Sequence, residues 1–264
     1  MTATEVQLSR LVTAVATGAR GTPKVLGDFY ATTLETFRYL PRRPFQLREF
    51  VSQAWFIASV SIVPTLLMSI PFCVMVVFQI NVLLSEVGAI DLSGAGAGVA
   101  VVREIGPIVT VLAVAGTGAT AICADLGSRT IREEIDAMRV LGINPIQRLV
   151  VPRVLASTVV ALFLNGLVTA VGLIGGYLYG VYLQGATPGQ FITAIPILTG
   201  IPDLLLSELK ATLFGLLAGL VACHLGLNVK GGPKGVGDSV NQTVVFSFVL
   251  LFFANAIITT LSLH

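Results

Sequence analysis

Charged residues are scarce in this chain. Only 11% of its 264 residues are Asp, Glu, Lys or Arg, whereas soluble domains carry about 25%, so a water-soluble core under a charged surface is excluded. Residues without these charges form long runs at 50–85, 105–124, 154–202, 211–229 and 239–264. Each run can hold the roughly 20 apolar residues that cross a bilayer, and backbone groups in lipid must bond internally. The sequence therefore predicts an all-α integral membrane protein.

Histidine and cysteine are also rare, which argues against metal and nucleophilic chemistry. The histidines His224 and His264 stand alone, and Cys73, Cys123 and Cys223 have no metal-ligand spacing. We expect the three cysteines to be buried as small hydrophobic residues. No catalytic residue, metal site or cofactor is predicted for this chain.

Glycine and lysine do occur together in VKGGPKGVGDS (229–239), a composition that resembles a phosphate-binding loop. The segment lacks the G-x-x-x-x-G-K-[ST] order and follows a predicted membrane helix instead of a strand. We interpret it as a flexible cytoplasmic turn. If the protein moves a substrate uphill, the energy must come from another chain or from an ion gradient.

The basic residues are distributed unevenly around five predicted spans. We place the spans at 54–82, 105–124, 151–182, 204–227 and 242–262. Of the 16 Lys and Arg residues, 14 then lie on one side of the membrane and only Arg103 on the other. The positive-inside rule makes the basic side cytoplasmic, so the amino terminus is expected inside and His264 outside. Pro64 and Pro71 predict a bend, or a partly re-entrant segment, in the first span.

Residues 1–50 are too polar for a cleaved signal peptide. We expect a cytoplasmic amino-terminal segment there and a membrane domain at 51–264. Apolar residues at helical spacing give the segment one hydrophobic face: Leu26, Phe29, Tyr30, Leu34 and Phe37. Such a helix can lie in the membrane interface; the alternative is a soluble helix packed on the protein's own loops.

The segment RTIREEIDAMRVLGINP separates two apolar runs and opens with six charged residues in eleven. Thr130 and Glu133 match a T-x-x-E capping box, which predicts a helix starting near Ile131. Gly142 and Pro145 predict its end. The helix would then have about eleven residues and a length of about 16 Å.

The side chains of this predicted helix separate into an apolar and a charged side. Ile131, Ile135 and Met138 repeat at i, i+4 and i+7, while Arg132 and Asp136 are spaced to pair at i, i+4. A solvated loop helix is the simpler alternative. The capping box, the apolar stripe and the end signals all agree on one helix, and a simple connector needs none of them. They therefore favour a rigid docking element at the cytoplasmic face.

A few charges fall at the edges of the predicted spans. Lys210 is the deepest, and Glu104, at the outer start of the second span, is its candidate partner in an ion pair across helices. The alternative is interfacial anchoring by a long side chain that reaches the headgroups. At the inner end of the second span, Asp125 is spaced to meet Arg129 at i+4.

Small residues are concentrated in VAGTGATAICADLGS (114–128) and GLIGGYLYG (172–180). Small side chains let helix backbones approach closely in a membrane. The two segments therefore predict tight helix contacts, within the fold or across a dimer.

The chain resembles a known family over these same residues. The stretch REIGPIVTVLAVAGTGATAICADLGSRTIREEIDAMRVLGINPIQRLVVPRVLA (103–156) is similar to the signature of the MlaE/YrbE permeases, membrane subunits of ABC-type lipid transporters that work with MCE-domain proteins. Positions that match are Glu104, Gly106, Pro107, Gly118, Asp125, Gly127, Pro152 and Arg153. The later GGPKGVGDSVNQTVV also matches, and the pattern is most similar to the actinobacterial YrbE A type. Many members carry Glu in place of Asp125, which preserves the charge.

The resemblance implies an interfacial helix followed by five spans, with a coupling helix at about 130–142 seated in a groove of a cytoplasmic ATPase. The residues expected to couple to the ATPase are Arg129, Arg132, Glu133, Glu134, Ile135, Asp136, Met138 and Arg139. Glu104, Asp125 and Lys210 are expected to act as structural or gating charges.

The resemblance also implies partners and cargo. It predicts a second, non-identical permease chain, an ABC ATPase dimer that binds the ATP and Mg²⁺, and an MCE-protein hexamer on the outer side. The cargo would be fatty acids, mycolic acids or sterols, imported across the inner membrane through a cavity lined by spans one, two and five. The residues alone leave two alternatives open, an ion-coupled carrier and a structural anchor for an envelope complex.

Overall fold

The computed structural model describes residues 27–40 and 46–262, and every regular element in these ranges is helical. The chain divides into two compact units, Met1–Pro44 and Phe45–His264. Helix α1 covers residues 27–39 of the first unit. The second unit contains α2 (Leu47–Glu86), α3 (Ser93–Ile131), α4 (Glu134–Val140), α5 (Ile146–Gln184), α6 (Pro188–Leu198), α7 (Ile201–Leu227) and α8 (Gly232–Ser262).

Five of these helices, α2, α3, α5, α7 and α8, are long and apolar enough to cross a membrane. This confirms the predicted all-α membrane protein with five spans. The helices extend past the predicted spans, and α3 begins at Ser93 instead of Ile105. The prediction followed the charge-free stretch, whereas the helical backbone continues through Arg103 and Glu104.

Short connections join the five spans, so consecutive spans run antiparallel. We call the end of the bundle that holds residues 132–145 the connector end, and the opposite end, near Glu86, Ser93 and Ile201, the far end. Helix α5 packs on α2 and α7, while α8 packs on α7 and α3. These two names describe the path of the chain and assign neither end to a side of the membrane.

Helix α2 runs unbroken through Pro64 and Pro71, so the re-entrant alternative for the first span is wrong. Its buried positions recur at every fourth residue: Gln53, Ile57, Ser61, Thr65, Ser69, Cys73, Val77 and Asn81. Because an α-helix repeats every 3.6 residues, this stripe turns about 40° per step around the helix. Five of the eight buried positions are polar, so α2 presents a polar seam to its neighbours and apolar residues elsewhere.

Helix α6 is an element that the sequence analysis missed. It is too short to span a membrane and lies inside the charge-free run 154–202, where hydropathy gives no boundary. Phe191 of α6 is buried, and an added Cβ at Gly94 would collide with the Phe191 carbonyl oxygen. The small residues at the start of α3 therefore allow α6 to pack directly on its backbone at the far end.

Close packing at small residues is confirmed within the chain. A Cβ at Gly172 would lie 2.6 Å from Val101 Cγ1 and 2.9 Å from Cys73 Sγ. Gly118 lies against Ile57 and Ser61, where an added Cβ would be 3.5 Å from each side chain. All three cysteines are free and buried, as predicted: Cys73, Cys123 and Cys223.

Gly215→Ala is expected to destabilise the fold by about 1–3 kcal/mol, the usual cost of overpacking. The added methyl group would lie 2.5 Å from the Ser157 carbonyl oxygen and 2.6 Å from the Ala161 Cβ, both on α5. Gly175→Ala is the matched control, because nothing lies within 4 Å of its added Cβ; helix propensity makes this change neutral or slightly stabilising. Thermal unfolding in detergent measures both, and equal melting temperatures would refute tight α5–α7 packing.

Helix α1 confirms part of the predicted apolar face. Tyr30, Leu34 and Phe37 recur at i, i+4 and i+7 and are exposed, while Phe29 is partly buried. Leu26, like His264 at the other terminus, lies outside the described residues. An exposed apolar stripe on a helix is typical of a surface that contacts lipid or another protein.

Candidate coupling site and membrane-embedded charges

The charged helix at the connector end is shorter than predicted. Helix α4 covers Glu134–Val140, seven residues, instead of about 130–142, and the capping box is absent. Thr130 belongs to the last turn of α3, where its hydroxyl donates to the carbonyl oxygens of Leu126 and Gly226, each at 2.9 Å. Glu133 has a φ of +61°, so it breaks the helix between α3 and α4.

Two residues of the predicted apolar stripe, Ile135 and Met138, lie on α4, whereas Ile131 is the last residue of α3. Ile135 is buried, and Ile131 and Met138 are partly buried. Gly142, at a φ of +73°, ends the segment as expected. Pro145 does not act as a terminator: it directly precedes α5, whose Ile146 N–H donates to the Asn144 side chain at 2.8 Å.

The charges around α4 pair differently from the prediction. Arg132 Nε lies 3.2 Å from a Glu134 carboxylate oxygen, and Arg139 Nη1 lies 2.8 Å from Asp136 Oδ1. The predicted Arg132–Asp136 pair does not form, because Arg132 lies in the turn before the helix and not on its surface. These pairs are exposed, and exposed ion pairs contribute about 0–1 kcal/mol each. The charges are therefore available to a partner at little cost.

Arg129 connects α4 to the end of α3. Its Nε lies 3.3 Å from Asp125 Oδ1, which confirms the predicted i, i+4 pair, and its Nη1 lies 3.9 Å from Glu134 Oε2. The residues Arg129 and Arg132 thus both approach Glu134 at the start of α4. A displacement of α4 would act directly on this group of charges.

Arg153 extends the same network into the membrane domain. Its side chain is fully buried, and it donates to Asp125 Oδ2 at 2.5 Å and to the Leu149 carbonyl oxygen at 2.9 Å. Its Nη1 also lies 3.8 Å from Glu49 Oε1. Because Glu49, Asp125 and Arg153 belong to α2, α3 and α5, one guanidinium joins the first three spans.

The sequence predicted no such role for Arg153, which appeared only as a position that matches the family signature. The available signal was a lone charge within LVVPRVLAS, because an ionisable residue in an apolar run is a functional candidate by default.

Charges also converge at the far end, in a pocket of about 220 Å³ that contains Arg103, Glu104, Asp203 and Lys210. Lys210 is buried and donates to Thr259 Oγ1 at 2.9 Å. Glu104 lines the same pocket, but within the described ranges no ion pair joins it to Lys210. The cross-helix ion pair at this end joins Arg103 and Asp203 instead, at 2.9 Å.

Lys210→Met is expected to change the free energy of unfolding by less than about 1 kcal/mol, because it removes a buried charge together with its need for a partner. Thr259→Val removes the hydroxyl that accepts a hydrogen bond from the ammonium, which costs about 1–3 kcal/mol. The double variant should recover most of that loss. Chemical unfolding in detergent measures all three proteins; a larger loss for Lys210→Met than for Thr259→Val would contradict the assigned contact.

An apolar pocket of about 560 Å³ opens between α2 and α5. It is lined in α2 by Ile70, Cys73 and Val74, and in α5 by residues between Val171 and Leu183. The prediction for the cargo cavity named spans one, two and five, whereas this pocket lies between spans one and three. Its volume is within the 300–1,000 Å³ range of ligand pockets.

Comparison with known proteins identifies the family. Residues 50–261 match the Permease MlaE family. The chain is 33% identical over 168 residues to a probable ABC transporter permease protein of Synechocystis, covering 64% of each chain. It is 33% identical over 159 residues to a probable ABC transporter permease protein of Rickettsia typhi, covering 60% of this chain and 61% of that one.

A plant protein is also similar: the chloroplastic protein TRIGALACTOSYLDIACYLGLYCEROL 1 of Arabidopsis thaliana is 32% identical over 158 residues. That match covers 60% of this chain and 45% of the plant protein. The chain thus spans less than two thirds of the length of these relatives. The family match, however, extends over more than half of the chain and includes all five spans and α4. The chain therefore belongs to the MlaE permease family.

Proposed function

We propose that this chain is the non-catalytic permease subunit of a transporter that moves lipids across a membrane with ATP hydrolysed by a separate ATPase. Membership of the MlaE family and the names of the relatives as ABC transporter permeases support a permease role. ATP and Mg²⁺ would be held by the partner ATPase, with no cofactor on this chain. The proposed cargo is a fatty acid, mycolic acid or sterol, and the proposed direction is import.

The observation that carries this proposal is the connection of α4 to the membrane domain. Glu134 at the start of α4 approaches Arg129, Arg129 binds Asp125, and Asp125 binds the buried Arg153. Movement of α4 would therefore reach α3 and α5 through side chains already in contact. A helix linked in this way can transmit a displacement that a mobile loop would dissipate.

The exposed surface of α4 suits docking into a partner's groove. Val140 and Leu141, at its end, are 87% and 74% exposed. The preceding residues of the same helix, Asp136 and Arg139, form only an exposed ion pair. An apolar tip with a polar rim is the usual composition of a protein interface, and we propose that the ATPase receives this tip.

We propose that the connector end faces the cytosol, because most of the basic residues outside the spans fall on that side. The MCE-protein hexamer would then dock at the far end. A second permease, a non-identical paralogue, would pack on α8, which buries only Thr243, Ser247 and Leu251 and leaves Phe246, Val249 and Phe253 exposed. The alternative cover for this face is lipid chains. A crosslink between cysteines placed on α8 of the two chains would show that the second permease covers it.

Reconstitution into liposomes with the partner ATPase tests the function. We expect transfer of a fluorescent fatty acid or sterol only with ATP and with a hydrolysis-competent ATPase. Transfer that persists with an ATPase-dead partner, and that follows an imposed ion gradient, would overturn the proposal in favour of an ion-coupled carrier. Assembly of the complex without lipid transfer would indicate a structural anchor.

A further inference from the structure

A pocket of about 500 Å³ lies at the connector end, beside the Glu49–Arg153 contact. It is lined by Gln46, Leu47, Arg48, Glu49, Ser52 and Arg148. These residues come from the start of α2 and from the first turns of α5, which are distant in sequence. The pocket therefore joins the entrances of the first and third spans.

The two arginines of this pocket are unusual among those of the connector end. Arg129, Arg132, Arg139 and Arg153 all form ion pairs. Within residues 27–40 and 46–262, the guanidinium groups of Arg48 and Arg148 form neither an ion pair nor a hydrogen bond, and both side chains are exposed. Two unpaired cations on separate helices, directed at one pocket, can bind an anion together.

The carboxylate of Glu49 does not neutralise them. It accepts a hydrogen bond from Gln53 Nε2 at 3.0 Å and lies 3.8 Å from Arg153 Nη1. The charge of Glu49 is thus shared with the buried Arg153, which does not line the pocket. The pocket keeps an excess of positive charge, with the Ser52 hydroxyl as a further possible donor.

The depth of the pocket indicates what kind of anion it meets. Arg48 stands just before the charge-free run that begins at Phe50, and Arg148 lies in the first turn of α5, before the charge-free run that begins at Val154. These positions correspond to the boundary between hydrocarbon and water, where lipid phosphates lie. Basic pockets between membrane helices at this level bind anionic headgroups.

We propose that this pocket binds the phosphate of an anionic glycerophospholipid from the leaflet at the connector end, with Arg48 and Arg148 as its two ligands. The planar guanidinium matches a phosphate with two parallel hydrogen bonds. A lipid bound here would clamp the start of α2 to the start of α5, beside the Glu49–Arg153 contact. It would be a resident lipid and not the cargo, because the site shares no lining residue with the larger apolar pocket between α2 and α5.

Native mass spectrometry of the full-length chain, released from nanodiscs of equal phosphatidylglycerol and phosphatidylcholine, tests the site. We expect preferential retention of phosphatidylglycerol, reduced about fivefold by Arg48→Gln or by Arg148→Gln and about twentyfold by both together. The lysine variants Arg48→Lys and Arg148→Lys should retain only part of the preference, since they keep the charge but lose the fork.

The matched control is Lys230→Gln with Lys234→Gln, which removes two exposed charges at the same end, one before α8 and one in its first turn. Retention of phosphatidylglycerol should then stay within about twofold of the parent. The two lysines attract anionic lipid only through their general surface charge, and they do not line the pocket. Equal loss in the control and arginine pairs, or equal retention of both lipids by the parent, would overturn the proposal. Displacement of the lipid by an equal concentration of inorganic phosphate would assign the pocket to a free anion and also overturn it. None of these measurements requires ATP or transport. A negative result for the lipid site therefore leaves the proposed transport function unaffected.

Discussion

Replacing Glu134 and Asp136 together by lysine is expected to abolish binding of the ATPase partner, and with it ATP-dependent lipid transport, while the spans stay folded. Both carboxylates lie on α4, and their contacts with Arg132 and Arg139 are exposed. Loss of such pairs costs about 0–1 kcal/mol each in the folded chain. The double variant reverses two charges on the proposed docking surface, and mismatched charges in an interface cost several kcal/mol, so we expect affinity to fall at least about a hundredfold. Co-purification of the ATPase and a binding titration measure the effect.

The single variants separate docking from internal linkage. Within the described residues Asp136 forms its ion pair with Arg139 of the same helix, whereas Glu134 also approaches Arg129 of α3. Asp136→Lys should thus weaken ATPase binding alone, and Glu134→Lys should weaken both binding and the transport per ATP hydrolysed. Asp238→Lys, at an exposed position of the same end, is the control and should leave both unchanged. A double variant that assembles and transports at the parent rate would disprove the coupling role of α4.

The membrane architecture could be predicted because its signals are local in the sequence. Absence of charge over about 20 residues is enough to mark a span, and five spans were found in this way. The apolar side of α4 was visible in part, because Ile135 and Met138 keep their spacing on one helix, whereas Ile131 belongs to the preceding helix.

The capping box failed because the same residues fit two structures. A T-x-x-E sequence can begin a helix, but a threonine hydroxyl can also bond to a carbonyl oxygen four residues earlier within a helix. Thr130 does the latter, and its second bond to the Gly226 oxygen comes from α7. That contact is tertiary, so no local pattern could decide between the alternatives.

The partners of the charged residues show in the same way that contacts between helices cannot be predicted from local spacing. Asp125 and Arg129 are four residues apart and were paired correctly, whereas Glu104 was the candidate partner for Lys210, whose ammonium donates to Thr259. Arg153 and Asp125 are separated by a turn, a short helix and a second turn, so their contact depends on how α3 and α5 pack. Partners on one helix follow from spacing; partners on different helices follow only from the fold.

Arg153→Met is expected to destabilise the fold by about 3 kcal/mol. The guanidinium is fully buried and joins Glu49 of α2 and Asp125 of α3 to α5. Removal of one partner of a buried ion pair costs about 3–5 kcal/mol, because the remaining charge loses its compensation. The lower figure applies because Asp125 is partly exposed and keeps Arg129. Equilibrium unfolding in detergent, or thermal unfolding where refolding is incomplete, measures the change.

A double-mutant cycle separates this ion pair from the volume of the side chain. Arg153→Met combined with Asp125→Asn should lose at least about 1 kcal/mol less than the sum of the two single changes, the sign of direct coupling. Arg129→Gln is the matched control, since its guanidinium meets the same carboxylate at a partly exposed position and should cost less than about 1 kcal/mol. Equal losses for the Arg153 and Arg129 variants would mean that burial gives Arg153 no special role. The connection between α4 and the first span would then have to pass through helix packing, because Arg153 is the side chain whose ion pairs reach from Asp125 to Glu49.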